Sequence, residues 1–423
     1  MAKSNSQQGW GTHLTAWWPA DPTAYASPRE RRGGRYEPFV PEQIAGWPFE
    51  LGDTTVLMVD AAESELRSLR EDGATPGGLH SLTETLLRSE SVASSRIEGL
   101  QMTHARIARA RHGTSEDKTA RDVLANIAAM REAIDLGASA EHVSIDAIKR
   151  IHQALLPNDL DNDGQPIGGR VRETQNWIGR SDVTPVGATF VPPPPEYVEG
   201  LLVDLGEFID RTDLPAIAQA AIAHAQFETI HPFMDGNGRT GRALVYSILR
   251  RRDELGEYVP PISLVLSGVP RNYVAALTAY RTGNYNAIIE LYAIGTAKAC
   301  FEAKQLGAQV DMLREQWEAR LPQLRSHATA RALLNVLPAA PVLDANEAAA
   351  RTGRSLVSAR RGLEQLTDLE ILKPLNARKW GRGWETPELF DLVTQFERRV
   401  GNTRVDLNAT GSTPSSGAAS GSS

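Results

Sequence analysis

Apolar positions along this chain recur mostly at helical spacing, and a few interruptions of that pattern divide it into regions. From Val56 onward apolar residues fall three and four apart, and the pattern returns over residues 118–136 and 144–156, which predicts an all-helical first half. The run Ser81-Leu82-Thr83-Glu84 fits a capping box, so one of these helices is expected to start at Ser81 and to stop at Gly99. Between Gly168 and Phe190 the pattern breaks. Val171, Trp177, Ile178, Val183, Val186 and Phe190 alternate with turn-forming Gly, Asn, Asp and Pro, which predicts a short β-hairpin. The prolines at 192–195 then enforce an extended stretch that hands over to a helix near Glu196. Helical spacing resumes over residues 196–209, 214–230 and 238–251 and onward to about Arg320.

The two ends differ from this middle. The first fifty residues are rich in Gly, Pro, Trp and Tyr with little periodicity, which suggests an irregular arm with a mobile tip lying across a folded domain. Over residues 321–400 the order is helix, helix, turn, helix, hairpin, helix, the order of a winged helix-turn-helix. There Asp344 is placed to cap a first helix over residues 345–352, Gly353 to make the turn, and Ser355 to cap a second helix reaching Leu366. Residues 371–375 and 383–385 would be the wing strands. The stretch 401–423 is low-complexity Ser, Gly, Ala and Thr and is expected to be disordered. The expected division is an arm (1–55), an N-terminal helical region (56–115), a central domain (116–320), a winged-helix-like domain (321–400) and a tail (401–423).

Composition narrows the function classes. With 423 residues, 41% of them hydrophobic, the chain can build two or three cores. A net charge of −7 excludes coating of nucleic acid or membrane by bulk charge and leaves only local basic faces. The single Cys300 has no disulfide partner within the chain, and its helical surroundings suggest a packed or idle thiol. The first residues lack the charged and apolar regions of a secretory signal, and no run of eighteen apolar residues occurs, so a soluble cytoplasmic protein is expected. The glycosylation sequon at Asn408-Ala409-Thr410 then reads as accidental.

One segment concentrates chemistry: His231-Pro232-Phe233-Met234-Asp235-Gly236-Asn237-Gly238-Arg239-Thr240-Gly241-Arg242. Pro232 ends the preceding helix and leaves His231 at its terminus, where an imidazole can take a proton from a hydroxyl. Gly236-Asn237-Gly238 makes a tight turn into the next helix, with Asn237 available as its cap. Backbone amides at that helix start form an anion site, and glycines let phosphate oxygens approach the main chain. Arg239 and Arg242, three apart, can clamp one polyphosphate. Asp235 supplies a hard carboxylate suited to Mg2+.

The segment matches His-Pro-Phe-x-Asp/Glu-Gly-Asn-Gly-Arg-x-x-Arg at every fixed position, and by it the chain resembles the Fic family over roughly residues 56–304. The resemblance implies a mainly α fold, a helical domain carrying a small β-hairpin flap, with the winged helix-turn-helix appended. It also implies an enzyme, a protein adenylyltransferase that moves AMP from ATP to a Ser, Thr or Tyr hydroxyl of a protein, itself included. In that reading His231 is the base and Asp235 holds Mg2+ against the α- and β-phosphates. Gly236, Asn237 and Gly238 form the anion hole, Arg239 contacts the polyphosphate and Arg242 the γ-phosphate, with Thr240 and Gly241 completing the ATP-binding segment. Tyr273 resembles the aromatic lining the nucleoside pocket, although its helix can equally pack it in the core. The hairpin resembles the flap that holds a target segment by strand addition, or is an ordinary surface hairpin. Family members that act as kinases carry a lysine where this chain has Gly238.

A second match lies upstream. Ser94-Ser95-Arg96-Ile97-Glu98-Gly99 resembles the inhibitory motif of autoinhibited Fic proteins, in which Glu98 would pair with Arg242 and exclude the γ-phosphate; the alternative is a solvated glutamate at a helix end. The family implies a homodimer, and leaves open removal of AMP or another nucleotide transfer. For the C-terminal module the residues support contact with DNA or with protein. Arg351, Arg354, Arg360, Arg361, Lys373, Arg378, Lys379 and Arg382 face only Glu364, Asp368 and Glu370 there, with Trp380 and Trp384 in the wing, so a DNA-binding regulator is the rival class.

Overall fold

In the computed structural model, helix α7 (Ala216–Ile230), rich in Ala and Ile, has every residue buried and is the central helix of the fold. Around it stand α1 (Asp53–Ala74), α2 (Thr83–Ile97), α3 (His104–Ala110), α4 (Lys118–Ser139), α5 (Ile145–Leu155) and α6 (Pro195–Ile209). They are followed by α8 (Asn237–Arg251), α9 (Ile262–Gly268), α10 (Pro270–Tyr280) and α11 (Asn286–Arg320). The structure describes residues 10–74, 78–110, 117–139, 142–161, 163–321, 328–375 and 383–402. The tip of the arm, the wing residues Arg378, Lys379, Trp380 and Arg382, the sequon at Asn408 and the tail from 403 onward lie outside the described residues. Among the described residues no helix is long and apolar enough to cross a membrane.

The arm carries more order than its composition suggests. Strands β1 (Gly11–His13) and β4 (Phe39–Pro41) pair antiparallel, as do β2 (Ala16–Trp18) and β3 (Gly34–Tyr36). Three-residue strands are too short to leave a period-two signature, which is why the sequence reads as irregular. Ionised or not, Asp204 on α6 fixes the arm's descent by accepting from the amides of Ile44 (2.6 Å) and Ala45 (3.1 Å). The arm also meets the flap, where Trp18 Nε1 donates to the Val183 carbonyl at 3.1 Å and its ring packs edge-on against Trp177.

Three local expectations need correction. Helix α2 begins at Thr83 without a side-chain cap; the Ser81 hydroxyl turns back to the Gly78 carbonyl, 2.7 Å away, so no capping box forms. Helix α8 likewise is not capped by Asn237, which is already its first residue after a left-handed Gly236. The segment 168–190 is closed by one bridge pair, Ile178 with Phe190, instead of a strand ladder. Pro185 has no amide hydrogen, and Gly179 and Gly187 favour turns, so few residues remain to continue the pairing.

The 35-residue α11, about 50 Å long, leads into the last elements. These are α12 (Ala328–Leu334), β5 (Val342–Asp344), α13 (Ala345–Thr352), α14 (Leu356–Asp368), β6 (Lys373–Leu375), β7 (Gly383–Glu385) and α15 (Pro387–Gly401), with the sheet ordered β5-β7-β6. Here local chemistry reads through directly. Asp344 accepts from the Glu347 amide (2.9 Å), Gly353 takes φ 63°, and Ser355 accepts from the Ser358 amide (3.2 Å). The first wing strand is shorter than expected because Ile371 and Leu372 turn inward and are buried. One continuous core runs from Ile44 to Val400.

Helix α8, which carries both arginines, is set by its close approach to α4 at Gly137. A methyl group there would strike the main-chain oxygen of Ser247, which has no freedom to move aside. Gly→Ala in a helix ordinarily gains about 1 kcal/mol, whereas overpacking a fixed contact costs about 1–3 kcal/mol. Gly137→Ala is therefore expected to destabilise the fold by up to about 2 kcal/mol, read as a lowered thermal midpoint; a raised midpoint would show that α4 and α8 part freely.

Candidate active site

At the end of α7 the chain turns into the left-handed region at His231 (φ 50°), an uncommon conformation for a residue with a side chain. Pro232 cannot continue the helix, and the turn is held from several sides. The His231 amide donates to the Phe227 carbonyl at 2.8 Å. Its own carbonyl accepts from Arg172 Nε (2.9 Å) and Asn176 Nδ2 (3.3 Å). Arg172 is buried, and its guanidinium also reaches the carbonyls of Thr174, Pro193 and Ile230. Neither Arg172 nor Asn176 is signalled by the sequence, since both sit in the aperiodic flap.

The loop after His231 is held by side chains bonding to backbone. Asn237 Oδ1 accepts from the Phe233 amide (2.9 Å) and its Nδ2 donates to the Phe233 carbonyl (2.7 Å), so this residue ties the loop instead of capping α8. His152 on α5, also missed by sequence reasoning, stacks on Phe233 with ring centres 3.7 Å apart. Its Nδ1 accepts from the Gly169 amide at 2.9 Å, which leaves Nε2 to donate to the Asp235 carbonyl, also at 2.9 Å. Burial pushes His152 down to about 4, so the ring is neutral and this tautomer is kept. Gly236, at φ 75°, leaves space that Leu155 and the His152 ring fill. The Asp235 side chain is 69% exposed, with Oδ1 accepting from the Gly236 amide at 2.6 Å and Oδ2 3.7 Å from Arg239.

Arg239 and Arg242 are both buried. Arg242 Nε donates to Ser94 Oγ (2.9 Å), and Nη2 donates to the Ser94 carbonyl (2.9 Å) and to Glu98 Oε1 (2.7 Å). Glu98 follows the last residue of α2, and Gly99 beyond it turns left-handed (φ 84°). The Glu98 carboxylate rests directly on Gly238, where a methyl group would collide with Oε1. It thus lies at the first turn of α8, where the leading amides have no carbonyl one turn back. Burial works against the charge of Glu98, but Arg242 more than offsets it and the carboxyl ends below its ordinary range. Arg242 is held fully charged, the Glu98 carboxylate outweighing its own burial.

The remaining sequence candidates lie deeper. Thr240 is fully buried, and Gly241 packs against Phe227 and His224 of α7. Tyr273 on α10 is buried, with its hydroxyl 2.7 Å from His224 Nε2. The structure thus brings His231, Asp235 through Arg242, Ser94 and Glu98 to one junction of α7, α8 and α2, and puts Tyr273 behind it.

A mainly helical fold with a histidine, an anion loop and two arginines at one helix junction defines the class. Residues 142–249 match the family model described as Fic/DOC family, and residues 57–135 the one described as Fic/DOC family N-terminal. Across these residues the chain is similar to the Fic/DOC family. It is similar to protein adenylyltransferase fic-1 of Caenorhabditis elegans, 33% identical over 161 residues, which are 37% of this chain and 28% of that protein. It is also similar to a uridine 5'-monophosphate transferase of Xanthomonas campestris, 28% identical over 158 residues, 35% of this chain and 29% of that one. The chain spans less than a third of the length of these curated relatives. Its fold resembles a crystal structure of a Fic family protein from Desulfovibrio desulfuricans, with a TM-score of 0.52 at 22% identity over 80% of this chain and 97% of the other.

Burial, helped by the charge of Arg172, pushes His231 down to about 4. Between about pH 4 and its ordinary 6.5 the unfolded chain binds a proton that the folded one refuses, so this residue subtracts stability as pH falls through that window. Histidine NMR is expected to show His231 neutral at pH about 6, well below its unperturbed 6.5; a titration midpoint at or above that unperturbed value would contradict the buried placement.

Proposed function

We propose that this chain is an autoinhibited protein adenylyltransferase that transfers AMP from ATP to a hydroxyl of a protein, itself included. The observation that carries the reading is the Glu98 carboxylate, seated on Gly238 and paired with Arg242. A carboxylate there occupies the place that a helix start, a glycine and a guanidinium would offer to a phosphate oxygen. The guanidinium is buried, and leaving it unpaired costs about 3–5 kcal/mol. The group displacing Glu98 must therefore be another anion, and a terminal phosphate fits.

With a nucleotide in place, His231 would accept the proton of the target hydroxyl as its oxygen bonds to the α-phosphorus and pyrophosphate departs. Arg239 and Arg242 would hold the departing phosphates, and the amides of α8 the anion. His231 needs no deprotonation at neutral pH, because burial already keeps it neutral. The exposed Asp235 at the loop mouth suits Mg2+, which takes one or two carboxylates and completes its shell with phosphate oxygens and water. When bound, the ion would neutralise charge on the phosphates. The flap, closed by its Ile178–Phe190 bridge, would receive the target segment.

In this reading the C-terminal elements are a DNA-contacting module, where Arg354 just before α14 and Arg360 and Arg361 on it are exposed together with Leu356 and Val357. That face suits the backbone and groove of duplex DNA, and salt-dependent binding by the full chain would report it.

Incubation with ATP labelled at the α- or the γ-phosphate, with α-labelled UTP alongside, tests the activity. We expect label from α-ATP to enter protein, to rise about tenfold or more in Glu98→Gly, which corresponds to about 1.4 kcal/mol of regained binding, and to vanish in His231→Ala. Label from γ-ATP would indicate a kinase, and label from UTP alone a uridylyl donor. Unchanged incorporation in Glu98→Gly would rule out the inhibitory role.

A further inference from the structure

Three positions before the base, α7 carries Glu228, the one carboxylate on this fully buried helix, whose side chain is 8% exposed. A carboxyl so deep is expected to be hydrogen-bonded. Its Oε1 has no partner, and the nearest cationic or imidazole nitrogen to Oε2 is His231 Nδ1 at 3.8 Å. His231 Nδ1 is buried and has no partner at good hydrogen-bonding geometry, with the Glu228 main-chain carbonyl also near the ring. Two unsatisfied groups of complementary chemistry thus face one another about 1 Å beyond bonding range. The backbone around them is fixed by Arg172 and Asn176, so a change of side-chain rotamer is enough to close the gap.

Resting on the adenylyltransferase reading, we propose that Glu228 is a positioning residue that accepts the Nδ1–H of His231 and so leaves Nε2 bare to take the proton of the target hydroxyl. As the hydroxyl oxygen bonds to the α-phosphorus, its proton moves to Nε2 and the α-phosphorus–oxygen bond to pyrophosphate breaks. The imidazolium so formed is stabilised by the adjacent carboxylate. Without the carboxylate only the weaker main-chain carbonyl of Glu228 favours this tautomer, and the other one puts a hydrogen where the base must accept.

Charges on every side bear on this pair. Burial pushes Glu228 up to about 7, the Glu98 carboxylate of the α2 end pushes the same way, and Arg242 on α8 and Arg281 after α10 oppose them. Tyr273 and Tyr292 face it as neutral phenols. Loss of Glu98 therefore eases ionisation of Glu228, so release of inhibition and readiness of the base are coupled.

The test uses the full-length chain in the Glu98→Gly background with Glu228→Gln, which keeps shape and removes the charge. We expect kcat for α-label transfer to fall about a hundredfold with KM for ATP unchanged, and the acidic limb of kcat that Glu228 contributes below pH about 7 to disappear. Nitrogen-15 NMR of His231 reads the tautomer without turnover. We expect Nδ1 protonated in the parent at neutral pH, and a shift toward the other tautomer in Glu228→Gln. A kcat unchanged by Glu228→Gln, a loss confined to KM, or a bare Nδ1 in the parent would each overturn the proposal. If no nucleotide is transferred by any variant, the activity reading fails while the NMR result still decides the role of Glu228.

Discussion

The whole site depends on one constraint, a guanidinium placed where water cannot reach it. Arg242 is 2% exposed, on a helix whose packing against α4 and α7 leaves it no route outward. A buried charge needs a partner and a full set of acceptors. Ser94 supplies two neutral acceptors and Glu98 the charge. The neighbouring features follow from that need: the glycine at 238 that admits a carboxylate, the helix end that delivers it, and the depressed carboxyl that keeps it ionised. A partner of opposite charge at this place is therefore required.

Helix α2 is fastened much more firmly than its last residue. Glu90 accepts from the Ser263 amide at 2.8 Å and from its hydroxyl, both buried. Ser89 donates to Glu397 of α15 (2.9 Å), Thr85 to the Pro338 carbonyl (3.1 Å), and Asn126 bonds the Ser91 carbonyl (2.8 Å). The C-terminal elements and the helix are thus joined directly. Glu98 by contrast lies past the helix end, with its side chain 38% exposed and open space beside Gly99. A carboxylate can leave Arg242 by turning at this terminus while the buried bonds hold the rest of α2 in place.

What the sequence made legible was whatever depends on residues close together in the chain. The turn at Pro232, the glycine loop and the arginine spacing are local, as are the caps at Asp344 and Ser355. Each is decided within about one helical turn. The capping box at Ser81 failed although its letters were right, because the Gly78 carbonyl competes for the same hydroxyl. Asn237 likewise was available as a cap and was taken by Phe233. Arg172, Asn176 and His152 were invisible because the contacts that tie them to the loop after α7 reach backbone atoms 55 or more residues away, to which no spacing rule applies. Glu228 did leave a trace, the one carboxylate in α7, but it was absorbed into the hydrophobic pattern of that helix.

The two histidines beside the anion loop show why residue type alone does not assign a role. His152 and His231 are both pushed down to about 4, chiefly by burial, so both are neutral near pH 7. In His152 both ring nitrogens are committed, Nδ1 to the Gly169 amide and Nε2 to the Asp235 carbonyl, and its face is covered by Phe233. A ring so bound can only hold the loop. His231 has its backbone bound in the same way, while its Nδ1 faces the carbonyl and carboxylate of Glu228 and its Nε2 is engaged by none of the described residues. Fixing the backbone and leaving Nε2 uncommitted is the arrangement a base requires, since a nitrogen already engaged by the protein is not available to a substrate.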